Sequence, residues 1–103
     1  MQIHFERSGG FANFGFTGDF DLDSLPAETA NTLKALIEQV NFRSLPDQIL
    51  GKSAIPDQFF FLIKVTTPAW QHSVYTDERN APELLRQLIQ KFNELTRAQA
   101  RKS

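Results

Sequence analysis

The side chains able to do chemistry in this chain are few, and their arrangement excludes more than it suggests. There is no cysteine, so neither a thiolate nucleophile nor a thiolate metal site can form. The two histidines, His4 and His72, have no carboxylate at a spacing that makes a metal triad, and a His-Glu-x-x-His helix is absent. Ser8 or Ser73 beside a histidine is conceivable, because triads are assembled in space, but no motif favours it. Gly9-Gly10 is followed by neither a longer glycine pattern nor a lysine, so it does not read as a phosphate loop. The sequence therefore predicts no enzyme and no cofactor.

What remains is a set of aspartates and one oddly placed aromatic ring. Asp21 and Asp23 could ligate a metal, yet a calcium loop needs more oxygens and an internal glycine; capping of the following helix is the better reading. Asp57 follows Pro56 and precedes an apolar run, and Asp77 opens a polar turn. Phe11 sits directly after Gly9-Gly10. A tight connection needs glycine, which takes positive φ without steric cost, but it does not need a large ring beside the glycines. Phe11 is either folded back onto the core or presented to a partner.

The elements that position these residues follow from periodicity. Ile3-His4-Phe5-Glu6 alternates, and Phe14, Phe16, Gly18 and Phe20 recur at every second position, so the first twenty residues read as strand, turn, strand. Residues 26–40 carry Ala30, Leu33, Leu36, Ile37 and Val40 at helical spacing. Residues 41–58, with Pro46, Gly51 and Pro56 and the apolar pairs Ile49-Leu50 and Ala54-Ile55, form the long irregular segment. A connection of that length in a small domain is usually functional. Residues 58–65 are apolar on both faces and read as a central strand; residues 70–76 alternate and make the fourth. Asn80 and Glu83 fit a capping box, and Leu84, Leu85, Leu88, Ile89, Phe92 and Leu95 make a second helical stripe. Residues 97–103 read as a frayed polar tail.

The expected fold is α+β and two-layered: a four-stranded antiparallel sheet with two helices on one face, in the order ββαββα. Phe14, Phe16, Phe59, Phe61, Val74, Leu33, Ile37, Leu85 and Leu88 should be buried together. The opposite face should carry Phe60, Leu62 and Tyr75, partly bare. A length of 103 residues fits one domain with one core. A net charge of −1 gives no field for nucleic acid. No stretch approaches the roughly 18 apolar residues of a membrane span, and no basic segment followed by an apolar run marks a secretory signal. A cytoplasmic monomer is expected, the lack of cysteine suiting a reducing compartment.

The run Phe5-Glu6-Arg7-Ser8-Gly9-Gly10-Phe11-Ala12 resembles the opening of the emfourin family, small bacterial inhibitors of protealysin-like, that is thermolysin-like, zinc metallopeptidases. Further similar pieces follow in order: Asp21-Leu22-Asp23-Ser24-Leu25-Pro26, Leu45-Pro46, Asp57-Gln58-Phe59, His72-Ser73-Val74, Thr76-Asp77 and Ala81-Pro82. Asn13 stands where a third loop glycine is common, and Pro68-Ala69-Trp70 where the family usually has a polar turn. The resemblance implies a thermolysin-like peptidase as partner. It also implies one loop that brings an aspartate to the enzyme's zinc and another that brings apolar residues to its substrate sites. Gly9, Gly10, Phe11 and Ala12 look like the apolar loop. The aspartate is left open between Asp57 and Asp77, at the sheet end of that loop, and Asp21 and Asp23 at the other end, where Trp70 would be the apolar element. A domain that binds other proteins through its bare sheet face, without inhibiting a peptidase, is the alternative.

Overall fold

A computed structural model of the chain describes residues 1–9, 15–51 and 58–102. The elements are β1 (Gln2–Gly9), β2 (Phe16–Asp21), α1 (Ala27–Gln39), β3 (Gln48–Ile49), β4 (Phe59–Thr66), β5 (Gln71–Asp77) and α2 (Glu83–Lys102), with short 3-10 turns at Leu22–Ser24 and Phe42–Ser44. The sheet runs in the order β2-β1-β4-β5-β3. Its first four strands pair antiparallel, as period-two alternation implied.

The fifth strand corrects the four-stranded antiparallel expectation, because β3 pairs parallel to β5 and the sheet is mixed. Two residues have no period to read. Their pairing is fixed from the partner side: Tyr75 N–H donates to Asp47 O at 2.8 Å, and the Thr76 hydroxyl donates to Ile49 O at 3.0 Å. Thus the segment expected to be irregular supplies an edge strand.

One sheet face is dry. Ile3, Phe5, Phe20, Phe61, Ile63, Val65 and Val74 are buried with Leu33, Leu36 and Ile37 of α1 and Leu85, Leu88, Ile89 and Phe92 of α2. Phenylalanine rings knit the layers, with Phe5 6.0 Å from Phe61 and 5.7 Å from Phe92, and Phe20 6.2 Å from Phe92, all within the aromatic pairing range. Of the expected core, Phe61, Val74, Leu33, Ile37, Leu85 and Leu88 are buried, and Phe59 is half-buried at its margin. Phe14 and the side chain of Phe16 lie outside the described residues. Gly18 explains its own place in the aromatic run. A Cβ there would stand 2.6 Å from the Thr96 hydroxyl, so only glycine lets α2 approach β2 so closely.

Helix ends depart from the sequence reading in three places. The N-cap position of α1 is Pro26, with no side-chain cap; Asp21 caps the preceding 3-10 turn instead, accepting from Asp23 N–H at 3.0 Å. Asn80 turns its amide to Asp77 rather than completing a capping box, and the first bond of α2 runs from Arg86 N–H to Pro82 O. Finally, α2 continues through Lys102, so the tail expected to fray from Arg97 stays helical.

Candidate functional site

Strand register sorts the aspartates and the apolar elements between the two ends of the sheet. At one end Gly9 faces Phe59 across β1 and β4, and Phe60 faces Asp77 across β4 and β5. Residues 10–15 join β1 to β2, and residues 52–57 lead to Gln58 and β4, so both segments are flanked by described residues of this end. Gly10, Phe11, Ala12 and Asp57 themselves lie outside the described residues. At the far end Gln2 faces Asp21 and Thr66, and Thr66 faces Gln71. Asp23 and Trp70 belong there.

The near end is built to close tolerances. Gly9 has φ +89°, a left-handed conformation that favours glycine, and a Cβ on it would lie 2.6 Å from Gln58 O. Gln58 is itself buried. Beside it the Arg7 guanidinium carbon stands 4.7 Å over the Phe59 ring, a cation–π contact. Phe59 and the residue after Asp77 are laced together: Glu78 N–H donates to Phe59 O at 3.1 Å, and Phe59 N–H to a Glu78 carboxylate oxygen at 3.3 Å.

Asp77 is not displayed. Its residue surface is 1% exposed. One carboxylate oxygen accepts from Gly51 N–H at 2.7 Å and from the Asn80 amide at 2.9 Å. The other accepts from Arg79 N–H at 3.0 Å, Asn80 N–H at 2.8 Å and the Asn80 amide at 2.8 Å. Burial by itself would push this carboxyl up. The bonds from Gly51, Asn80 and Arg79 outweigh it and hold the carboxyl below its ordinary value. From sequence, Asp77 reads as the opening of a polar turn and as a candidate zinc ligand. Its partner Gly51 stands twenty-six positions away, beyond the reach of local spacing.

The far-end carboxylates are open but engaged. Asp23 is 69% exposed at its side chain and lies 3.6 Å from both the N-terminal ammonium and Lys34 Nζ. Trp70 is half-buried against the core, held by a turn in which Thr67 Oγ1 accepts Trp70 N–H at 2.9 Å and Thr67 N–H donates to Trp70 O at 2.8 Å.

The histidines have structural company. His72 Nε2–H donates to Leu45 O at 2.7 Å, and its ring meets Phe42 edge-on. On the outer sheet face His4 bridges Asp19 at 2.7 Å and Glu6 at 3.2 Å. The hydrogen bond that the His4 ring donates to Asp19 is the main cause that raises the His4 pKa; partial burial opposes it, and Glu6 adds to it. Among the described residues no group of three or more His, Cys, Asp or Glu is arranged to hold a metal ion. The same outer face carries Phe60 and Tyr75, stacked at 5.8 Å, with Leu62 half-buried beside them.

The sequence reading missed one residue of this end. Leu50 follows β3 and is 43% exposed, the one exposed large apolar side chain among the described residues. Its presence in the apolar pair Ile49-Leu50 was visible; its exposure depends on β3, which was not.

A two-layer α+β fold of this kind offers a rigid sheet on which loops can present function. The chain belongs to the Emfourin family, whose model matches residues 5–93. That membership points to a metallopeptidase inhibitor, with proteases as the partners. No curated protein and no solved structure matches the chain. Among the described residues no helix is long and apolar enough to cross a membrane.

Proposed function

We propose that this chain inhibits thermolysin-like, protealysin-like zinc metallopeptidases by occupying their active site from the near end of its sheet. The family match over residues 5–93 carries this reading. Two tasks suffice to block such an enzyme. An apolar group must fill the substrate side-chain pocket, and an anionic oxygen must take the open position on the catalytic zinc, displacing its water. Phe11 and Ala12, with Gly9 and Gly10 behind them, are assigned the first task.

Asp57 is assigned the second. A zinc ligand needs a free lone pair at the surface, and the buried Asp77 carboxylate already satisfies Gly51, Arg79 and Asn80. Asp77, second to Asp57 on the sequence reading, is therefore assigned as a brace that ties residue 51 to residues 79 and 80. Asp21 and Asp23, with Trp70, are the competing set. Their carboxylates are exposed, and that one property favours them. We read the inhibitor as a bacterial cytoplasmic monomer, where a chain without cysteine loses nothing.

The test is a titration of purified thermolysin, and in parallel of an unrelated zinc peptidase, with the folded chain. Expected is stoichiometric, saturable loss of the thermolysin activity alone. Full activity of thermolysin-like enzymes at micromolar chain would overturn the reading. It would leave the alternative of a protein-binding domain using its outer face, for which the Phe60–Tyr75 stack is the supporting observation.

A further inference from the structure

We propose that Leu50 is a second apolar anchor of the inhibitory surface, entering a hydrophobic pocket of the peptidase cleft some distance from the one assigned to Phe11. This rests on the function proposed above.

A lone exposed leucine is ordinary and by itself means little. The backbone that carries Leu50 is what distinguishes it. Ile49 O, on one side, accepts the Thr76 hydroxyl at 3.0 Å, and Gly51 N–H, on the other, donates to the Asp77 carboxylate at 2.7 Å. Tyr75 N–H holds Asp47 O at 2.8 Å, three residues upstream. A Cβ on Gly51 would displace the Asn80 amide that also binds Asp77. Hence both flanking peptides of Leu50 are pinned, one of them by a buried charge. Burying a carboxylate is costly, and here the cost is met by donors that tie residue 51 to residues 79 and 80. The result is an apolar side chain held outward on a fixed backbone. Such an anchor loses little freedom on binding.

Its position suits the cleft of a peptidase. Because β3 runs parallel to β5, Leu50 leaves the sheet at the end where Asp77, Phe59 and Gly9 lie. Three strand spacings, β1 to β4 to β5 to β3, separate Leu50 from Gly9. At about 4.8 Å each they span roughly 14 Å, the length of about four extended substrate residues. The occupant fitted by this geometry is an apolar subsite of an extended peptide cleft, about four residues along from the one nearest Gly9.

Progress curves of thermolysin with wild type, Leu50→Ala and Leu50→Lys, alongside thermal unfolding of each, test the proposal. Leu50→Ala should raise Ki about tenfold and Leu50→Lys further, the range of a mid-sized anchor, with melting temperatures unchanged. If wild type inhibits and both variants match it, Leu50 is no anchor although the chain remains an inhibitor. Weaker inhibition that tracks a lowered melting temperature overturns the proposal too, because the loss is then one of folding. If wild type itself does not inhibit, the anchor and the proposed function fall together.

Discussion

The two ends of the sheet use aspartate in opposite ways. At the far end Asp21 and Asp23 stay in solvent and tie the chain start, a 3-10 turn and Lys34 together by exposed contacts. Such pairs are screened and individually weak. At the near end one aspartate is taken out of water and surrounded by nitrogen donors from three residues. The far end is thus anchored cheaply and in many places. The near end concentrates its order in a single carboxylate, on which Gly51, Arg79 and Asn80 all depend. The open acids hold the chain start, a 3-10 turn and Lys34, whereas the closed acid ties residue 51 to residues 79 and 80.

The sharpest way to break this contrast is Asp77→Ala. It leaves several donors without an acceptor and should cost on the order of 4 kcal/mol in denaturant unfolding. Asp23→Ala should cost under about 1 kcal/mol. Equal losses would mean that the near end is no more concentrated than the far one. Acid should act the same way. A carboxyl held below its ordinary value stabilises the fold above that value, so the Asp77 contribution should be lost as pH falls below about 4.

Asp57→Asn comes next, and bears on function rather than folding. It should weaken inhibition of thermolysin by about 3 kcal/mol, near a hundredfold, because shape survives while charge and ligand strength do not. Asp21→Asn and Asp23→Asn should inhibit as wild type does. The reverse pattern would move the inhibitory surface to the far end, with Trp70 as its apolar member. Phe11→Ala should weaken inhibition by about 2 kcal/mol, roughly thirtyfold, and destabilise by less than the roughly 3–5 kcal/mol of a core Phe→Ala change. A collapsed melting temperature with normal inhibition by the folded fraction would return Phe11 to the core.

The smallest effect belongs to the middle of the outer face. His4 faces Asp19, Glu6 and, as its partner in β4, Lys64. Its pKa lies above the ordinary 6.5, so its stabilising contribution is complete below that value and fades as pH rises through the raised one. In unfolding curves from pH 6 to 9, wild type should lose a fraction of a kcal/mol that His4→Gln does not, as expected of partly exposed pairs. Parallel curves for the two proteins would remove His4 from the balance.

Much of this architecture could be read from periodicity. Alternating phenylalanines announced the sheet, and leucine stripes announced both helices, because burial against a flat layer demands those periods. That Asp77 lies at the same sheet end as Gly9 also followed from tracing strands up and down. What could not be read has a common cause. The two residues of β3 are too few for a period, and the Asp77 brace joins positions far apart in sequence. Asn80 looks like a helix cap locally and is claimed by a stronger acceptor in space. Likewise α2 runs past Arg97 because nothing in residues 97–102 breaks a helix: there is neither glycine nor proline.

The short strand β3 has one more effect, on crowding. A sheet has two borders, and a bare border invites a neighbour's strand to add itself. Here β3 takes up part of the outer border of β5, and the remaining border strand, β2, carries Asp19 and Asp21. A second copy offering its own β2 would bring like charges face to face. A protein that exposes Leu50 at one end of its sheet is thereby discouraged from lengthening that sheet with copies of itself.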